Sequence, residues 1–260
     1  MGTAQVQGDL WGARAQDWAA LQERCHLPAF EIVLRKLALD STTRYLDIGC
    51  GTGLATQLAA LHGAQVSGLD ASTASIEIAR ERVPGGQFAI GEMEELPYSD
   101  RSFDAVTAFQ AFQYAANPAR AFEEARRVTR PGGKVAMVLW GRPEKCEMRA
   151  IFQALSTVLT TRTRDISAPL DCSDTETIEQ LLHQVGLRLV ETGEVDCPFE
   201  YPNEEMAFLA IGSWELGVRA MRAAGEERVR EAVLESLAHY KRKAGGYRLH
   251  NTFVYFLTLA

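Results

Sequence analysis

The chain has 260 residues, of which 47% are hydrophobic and 23% charged, and its formal net charge is −7. This length allows one large α/β domain, with or without a small addition, and the composition is that of a soluble globular protein. The acidic balance argues against a nucleic-acid partner, because nucleic-acid binding usually requires a clustered basic surface. No apolar run approaches the roughly 18 residues of a membrane span, so none is predicted.

The spacing of the cysteines bears on the cellular compartment of the protein. They stand singly and form no C-x-x-C pair, which indicates reduced thiols in a cytoplasmic protein. The first residues lack the basic and apolar regions of a secretory signal, so we expect a cytoplasmic location. The cysteines are Cys25, Cys50, Cys146, Cys172 and Cys197.

Short apolar runs and amphipathic stretches alternate from about residue 43. This alternation predicts a doubly wound, mostly parallel sheet covered by helices on both faces, the α/β class. The predicted strands of this part cover residues 44–48, 64–70, 87–92, 103–109 and 134–140. The predicted helices cover residues 54–63, 72–83 and 117–129.

The remaining segments are predicted to cover this sheet. We expect a single domain over residues 1–260, with its cofactor-binding core at 43–141. One or two N-terminal helices in residues 1–40 are expected to cover the core. Helical insertions at 145–165 and 203–243, the second with two helices, are expected to form a substrate lid. Two more strands are predicted at 187–199 and 250–260.

A glycine-rich turn follows the first predicted strand, in the stretch YLDIGCGTGLA. Glycines at such a turn let the backbone approach a ligand closely, and they stand at positions 49, 51 and 53. The dinucleotide pattern G-x-G-x-x-G fails in both registers, because Leu54 and Thr56 occupy the third glycine position. The phosphate-binding Walker A pattern fails too, since no Gly-Lys-Ser/Thr follows.

Two acidic residues near the turn limit the kinds of ligand that it can bind. Asp70 ends the second predicted strand about 20 residues after the turn, a position that suits hydrogen bonds to both hydroxyls of a ribose. Asp47 precedes the turn and suits a cationic ligand group better than a pyrophosphate. The alternative for Asp70 is a simple cap on the next helix.

Four motifs follow one another along the chain: LDIGCGTG, Asp70, GEMEELPYSDRSFDAV and RVTRPGGKVAMVLW. Together they resemble class I S-adenosylmethionine-dependent methyltransferases, in particular the group similar to the ubiquinone and menaquinone C-methyltransferases. The resemblance is continuous over residues 43–141 and fades in the N-terminal helices and beyond residue 190. It implies a seven-stranded, mostly parallel, Rossmann-like sheet and S-adenosyl-L-methionine as cofactor.

The resemblance also implies which residues hold the cofactor. Asp47 and the turn would hold the amino acid part, Asp70 the ribose, and Ala71 would lie near the adenine. Glu92 and Met93 would contact the adenine, although they replace the Asp and Ala that are common in the family. Gln110 would lie beside the methionyl part. The implied set is Asp47, Gly49, Cys50, Gly51, Gly53, Asp70, Ala71, Glu92, Met93 and Gln110.

The acceptor is narrowed by elimination to a small organic molecule. There is no N-P-P-Y or D-P-P-Y run, no recognisable set of metal-binding carboxylates and no basic extension, so we predict neither a metal nor a nucleic-acid partner. We expect such a reaction to belong to cofactor, quinone or natural-product metabolism. Methyl transfer to oxygen, nitrogen and carbon stays open, and proximity alone can supply about 7–11 kcal/mol without a dedicated base.

Aromatic and polar residues outside the motifs are candidates for the acceptor pocket. Tyr114 is the best polar candidate for a catalytic role, although packing is an alternative for it and for the aromatic residues. Four histidines could act as bases, but a single histidine is more often a structural or surface residue. The pocket candidates are Trp18, Gln113, Tyr114, Trp140, Tyr201 and Trp214, and the histidines are His26, His183, His239 and His250.

Three other functions compete with methyl transfer. The failed glycine register disfavours a nicotinamide-dependent oxidoreductase. A regulatory protein that binds the cofactor without catalysis, and an enzyme of the same fold that uses the cofactor for another reaction, are not separated by the sequence. The sequence does not predict the oligomeric state.

Overall fold

A computed structural model describes residues 2–159 and 174–260. The strands are β1 (Arg44–Ile48), β2 (Gln65–Asp70), β3 (Gln87–Ile90), β4 (Phe103–Phe109), β5 (Thr129–Trp140), β6 (Arg188–Asp196), β7 (Phe199–Tyr201), β8 (Tyr247–Leu249) and β9 (Thr252–Leu259). The helices are α1 (Ala4–Gly12), α2 (Ala15–Asp17), α3 (Leu27–Leu37), α4 (Leu54–Leu61), α5 (Thr73–Arg82), α6 (Pro118–Val128), α7 (Met148–Val158), α8 (Thr175–Gln184), α9 (Glu204–Gly212), α10 (Glu215–Ala224) and α11 (Glu226–Leu237).

Seven strands form one sheet in the order β3-β2-β1-β4-β5-β9-β6. Strands β1 to β5 pair in parallel, and β9 runs antiparallel to both of its neighbours, β5 and β6. The predicted class, a mostly parallel seven-stranded α/β sheet, is confirmed. Strand order reverses between β1 and β4, and the carboxyl ends of these strands are where a doubly wound sheet binds its ligands.

The sheet separates two hydrophobic cores. Alternate residues of β5 face opposite sides, so Val138 joins one core and Met137 the other. The first core packs the sheet against α3, α4, α7 and the helices of the C-terminal insertion. The second packs it against α6 and α8. Helices on both faces explain why the parallel strands are apolar on both sides.

The N-terminal segment is less regular than one or two helices. Between α2 and α3 the chain forms a π-helical turn, Trp18–Gln22, and a 3-10 turn, Glu23–His26. The segment that contains these turns lies over the carboxyl ends of the strands. Helix α1 packs on α5 and α10. Such irregular turns have no periodic signal, so the sequence could not predict them.

The C-terminal insertion contains three α-helices, whereas the sequence predicts two. The helical conformation is interrupted at Ser213 and Trp214, between α9 and α10. It is interrupted again at Gly225, whose φ of 83° suits glycine. The insertion predicted at 145–165 contains α7, and its last residues, 160–165, lie outside the described residues. Strands β7 and β8 form a separate two-stranded sheet beside these helices.

Over residues 2–159 and 174–260, no helix combines the length and the apolar character that crossing a membrane requires.

Candidate functional site

A cavity opens at the carboxyl ends of β1, β2 and β4, beneath the N-terminal segment. Its empty space is about 1000 Å³, including the part open to solvent. The lining has two parts, which we call the strand-end side and the aromatic side. The strand-end side consists of Gly49, Gly51, Asp70, Ala71, Glu92 and Met93, and the aromatic side of Trp11, Trp18, Phe30, Phe109, Tyr114 and Trp214, with His26 among the rings.

The glycine turn forms the floor of the strand-end side. Gly49 adopts a φ of 69°, and a Cβ there would lie 2.4 Å from the Cβ of Ala111. The backbone amides of Gly49 and Cys50 both donate to the carbonyl oxygen of Leu69, at 2.7 and 3.0 Å. Only glycine therefore fits at position 49, and the turn is fastened to β2.

Asp70 is held at the edge of the cavity by two backbone amides. Gly51 N donates to Oδ2 and Ser72 N donates to Oδ1, each at 2.8 Å. Burial raises the pKa of this carboxyl, and the two amides oppose the rise. Each oxygen keeps acceptor capacity, so a fixed carboxylate can accept hydrogen bonds from a vicinal diol.

Asp47 lies under the turn, outside the cavity lining, and is 1% exposed. Thr107 donates to its Oδ1 at 2.8 Å and Thr56 to its Oδ2 at 3.1 Å. Burial raises the pKa of this carboxyl to about 7. In this arrangement Asp47 bonds to the protein itself, and its predicted place near a ligand ammonium stays a prediction.

Cys50 and Gly53 also lie outside the lining. Cys50 is buried, and burial raises the pKa of its thiol well above the ordinary value. Gly53 is the N-cap of α4, where its φ of 83° begins the helix. These two residues shape the turn without facing the cavity.

Glu92 joins the cavity to the N-terminal segment. Its Oε2 accepts from the backbone amide of Ala4 at 2.8 Å, at the start of α1. Its Oε1 accepts from Glu94 N at 3.2 Å. Glu92 and Met93 both line the cavity, as expected for residues beside a base.

Gln110 stands where β4 ends. Its φ is 54°, a left-handed conformation that is uncommon for a residue other than glycine. Its backbone amide donates to Val138 O at 2.8 Å, while its side-chain Nε2 is buried without a hydrogen-bond partner. Strain of this kind clusters at functional sites, and here it directs a polar side chain into the cavity.

The aromatic side brings together residues from distant parts of the chain. The ring centroid of Trp11 lies 5.1 Å from Trp18, 5.5 Å from Tyr114 and 6.0 Å from Trp214. Trp18 and Trp214 are 5.1 Å apart with nearly perpendicular planes. Of the predicted pocket residues, Trp18, Tyr114 and Trp214 therefore line one cavity.

Three predicted pocket residues lie elsewhere. Trp140 stands behind Trp214, with centroids 5.8 Å apart, and packs on the core. The hydroxyl of Tyr201 in β7 donates to Gln22 Oε1 at 2.8 Å, inside the protein. Gln113 is 4% exposed on the 3-10 turn after β4 and is not part of the lining.

His26 is the functional candidate that the sequence could not single out. It is 4% exposed, it lines the cavity, and its ring centroid is 5.5 Å from that of Trp18. Burial lowers the pKa of its imidazole to about 4. No motif surrounds it, and its position depends on the irregular turns before α3.

The residues of the strand-end side fit S-adenosylmethionine. Asp70 offers fixed acceptors for the ribose hydroxyls, and Glu92 and Met93, which are predicted to contact the adenine, line the same cavity. A Cβ placed on Gly51 would find only Trp18 Nε1 within 4 Å, at 3.9 Å, so this part of the turn is open to a ligand.

Comparisons with known proteins agree with this geometry. Residues 46–137 match the family described as a methyltransferase domain. A demethylmenaquinone methyltransferase from Renibacterium salmoninarum is 32% identical over 123 residues, 45% of this chain and 52% of that one. A malonyl-[acyl-carrier protein] O-methyltransferase from Erwinia pyrifoliae is 34% identical over 137 residues, 53% of this chain and 51% of that one.

The fold is also similar to that of a solved methyltransferase structure. The structure of Haemonchus contortus phosphoethanolamine N-methyltransferase 2 shares 20% identity and a TM-score of 0.57, covering 89% of this chain and 52% of that one. The chain spans about half the length of the curated relatives it matches. The resemblance to methyltransferases predicted from the four motifs is thus confirmed: residues 46–137 match a methyltransferase domain.

Proposed function

We propose that the protein transfers a methyl group from S-adenosylmethionine to a small organic acceptor. The observation that carries this proposal is the two-sided cavity. The strand-end side offers a fixed carboxylate, Asp70, to a ribose, and the aromatic side encloses the space beyond it. When bound, the cofactor supplies an electrophilic methyl group.

The chain's own residues would then position the acceptor and exclude water. The N-terminal segment and the C-terminal insertion meet over the cavity through Trp11, Trp18 and Trp214, and we propose that these elements form the substrate lid. Holding two reactants in line can supply about 7–11 kcal/mol. The enclosed aromatic surface therefore suits a reaction that depends on the orientation of its reactants.

The same proposal includes partners and location. The net charge of −7 opposes nucleic acid, and the named relatives act on demethylmenaquinone or a malonyl-carrier protein. A small-molecule acceptor in cofactor, quinone or natural-product metabolism fits these facts. The four cysteines in the described residues are free and buried, which suits a reducing cytoplasm.

Calorimetry with S-adenosylhomocysteine and with NAD tests the cofactor. We expect S-adenosylhomocysteine to bind with one site per chain and NAD not to bind; the reverse would overturn the proposal. Transfer of labelled methyl to members of an acceptor library then tests catalysis. A protein that binds S-adenosylhomocysteine and labels no acceptor would be a regulatory binder or an enzyme of another reaction.

A further inference from the structure

Three of the residues that line the cavity each carry a buried polar atom that lacks a hydrogen-bond partner. The atoms are His26 Nε2, Gln110 Nε2 and Trp214 Nε1. Within the described residues only one other buried side-chain nitrogen or oxygen is in this condition, Gln22 Nε2, and it does not line the cavity. Since an unpaired buried polar group costs about 1–3 kcal/mol, three around one cavity point to a ligand that satisfies them.

The hydrogen bond at the other nitrogen of His26 determines what its Nε2 can do. Nδ1 lies 3.2 Å from the carbonyl oxygen of Glu23. A carbonyl can only accept, so Nδ1 carries the hydrogen and Nε2 keeps a lone pair that can accept a hydrogen bond. Burial lowers the pKa of the ring to about 4, which keeps His26 neutral near pH 7.

The other two atoms complete the pattern. The indole of Trp214 can only donate, and its centroid lies 5.8 Å from that of His26. The Gln110 carboxamide also lies close to the His26 ring, and its unpaired Nε2 can only donate. One acceptor and two donors in this neighbourhood match a hydroxyl group, which donates one hydrogen bond and accepts two.

The charged residues of the cavity lining indicate which charge the rest of the ligand can carry. No lysine or arginine is among the described residues that line the cavity. Its titratable groups other than His26 are Asp70 and Glu92 on the strand-end side and Tyr114 on the aromatic side. Glu23, beside His26, is paired with Arg82. A phosphate or carboxylate would find no cation here, whereas a flat, uncharged molecule would find aromatic faces.

Resting on the proposed methyl transfer, we propose that the acceptor is an uncharged aromatic or enolic hydroxyl compound and that His26 is its general base. Trp214 and Gln110 hold the oxygen by donating hydrogen bonds. His26 Nε2 takes the hydroxyl proton as the oxygen forms a bond to the methyl carbon. The carbon–sulfur bond breaks, and its electron pair stays on sulfur. The products are a methyl ether, S-adenosylhomocysteine and an imidazolium that later releases its proton to water.

The low basicity of the His26 imidazole does not prevent this proton transfer, because the transfer leaves the net charge of the cavity unchanged. The cavity already holds one positive charge when the sulfonium is bound, and after transfer the same single charge resides on His26. No net charge is created in the buried space, so the burial that lowers the pKa of the free site opposes the reaction less than it opposes simple protonation. The Trp18 ring, 5.5 Å away, also favours a cation at His26.

Other acceptors fit the three atoms less well. An ammonium group could not accept from Trp214 or Gln110, and its charge would remain after transfer. A carboxylate would face Asp70 and Glu92 without a cation. An acidic carbon has no lone pair to receive the two donors, although an enol could be methylated at carbon from the same position.

The test uses the intact protein loaded with S-adenosylhomocysteine and three matched probes: 4-nitrophenol, 4-nitroaniline and nitrobenzene. In slightly acidic buffer, where the phenol is protonated, we expect 4-nitrophenol to bind at least about 10-fold more tightly than either of the others, because only a hydroxyl satisfies all three atoms. This measurement does not depend on turnover.

His26→Asn is the informative variant, because the asparagine amide can still donate to the Glu23 carbonyl while the Nε2 lone pair is lost. We expect it to abolish the preference for 4-nitrophenol, and to slow methyl transfer to 4-nitrophenol by about 10²–10⁴-fold. Trp214→Phe should reduce the preference in part. His62→Asn is the control, since His62 is exposed at the end of α4, and it should change neither measurement.

The outcomes separate this inference from the proposed function. If the protein binds S-adenosylhomocysteine but prefers nitrobenzene or 4-nitroaniline, binds none of the probes, or keeps its preference in His26→Asn, the inference is overturned and methyl transfer stands. If it does not bind S-adenosylhomocysteine, the proposed function fails. Unchanged S-adenosylhomocysteine affinity in His26→Asn shows that a lost preference is not a folding defect.

Discussion

The backbone amide of Gly51 donates a hydrogen bond to Oδ2 of Asp70 over 2.8 Å, which links the glycine turn directly to the end of the second strand. Two motifs 19 residues apart in the chain thereby form one rigid unit. A ligand that bonds to Asp70 also meets a turn whose position is fixed, so little ordering remains to be done on binding.

Asp70→Ala should weaken S-adenosylhomocysteine binding by about 10- to 100-fold, because hydrogen bonds to a charged group contribute about 1.5–3 kcal/mol each. Calorimetry measures the change. Asp100→Asn is the control, since that carboxyl is exposed and outside the cavity lining. Unchanged affinity in a folded Asp70→Ala protein would remove the ribose role and leave Asp70 as a structural link.

Gly49→Ala should destabilise the protein and weaken the cofactor site together, because the new Cβ would lie 2.4 Å from the Cβ of Ala111. Gly132→Ala is a matched control: Gly132 has a φ of 75° but no atom within 4 Å of an added Cβ. It carries the backbone cost of about 1 kcal/mol without the clash. Thermal unfolding should show a larger loss for Gly49→Ala, and equal losses would contradict the close packing of the turn.

Asp47 should make stability depend on pH. The carboxyl titrates near 3.8 in its ordinary state and near 7 when buried, so the folded protein binds this proton more tightly than the unfolded chain does. Its stabilising contribution is therefore fully present below 3.8 and is lost as the pH rises through about 7. The loss is at most about 4 kcal/mol at 1.36 kcal/mol per pKa unit.

Urea unfolding of the wild type and Asp47→Asn at about pH 4 and about pH 8 measures this contribution. The variant, which cannot ionise, should gain stability relative to the wild type as the pH rises. The asparagine amide keeps one acceptor oxygen and places an NH2 group where the other accepts from Thr56 or Thr107, a cost that is the same at every pH. Only the pH-dependent part of the stability difference therefore reports the charge of Asp47. A constant difference across this range would mean that Asp47 is ionised in the folded protein.

The sheet was predictable because its strands carry their own signals. RYLDI and FDAVTAF match β1 and β4 residue for residue, and α5 begins within the predicted helix, after Ser72. The aromatic side was only partly predictable, because its residues meet through tertiary packing. His26 reaches the cavity through two irregular turns, whereas Tyr201 turns inward to Gln22.

A buried ion pair fastens the N-terminal segment to the core. Arg82 in α5 bonds to Glu23, whose side chain is 6% exposed, and Arg82 also donates to Thr52 O at 2.9 Å. Arg82→Met should cost about 3–5 kcal/mol, because it leaves a buried carboxylate without its partner. Denaturant unfolding measures the loss.

The double variant Glu23→Met with Arg82→Met provides the control for that prediction. Replacing both charges by apolar groups of similar size is often nearly neutral, so the double variant should be more stable than Arg82→Met alone. If Arg82→Met costs less than about 1 kcal/mol, the pair behaves as an exposed salt bridge and does not hold the segment in place.

Trp11→Leu should destabilise the proposed lid, which the N-terminal segment and the C-terminal insertion form, more than it weakens cofactor binding. Trp11 contacts Trp18, Tyr114 and Trp214, and aromatic pairs contribute about 0.5–1.5 kcal/mol each beyond their buried area. Since α1 packs on α10, we expect faster amide hydrogen exchange in both helices. S-adenosylhomocysteine affinity should change by less than about 3-fold, because the Gly51–Asp70 unit is untouched. Val6→Ala, at an exposed position of the same helix, should change neither measurement; faster exchange in α1 alone would mean that the two segments do not close the cavity together.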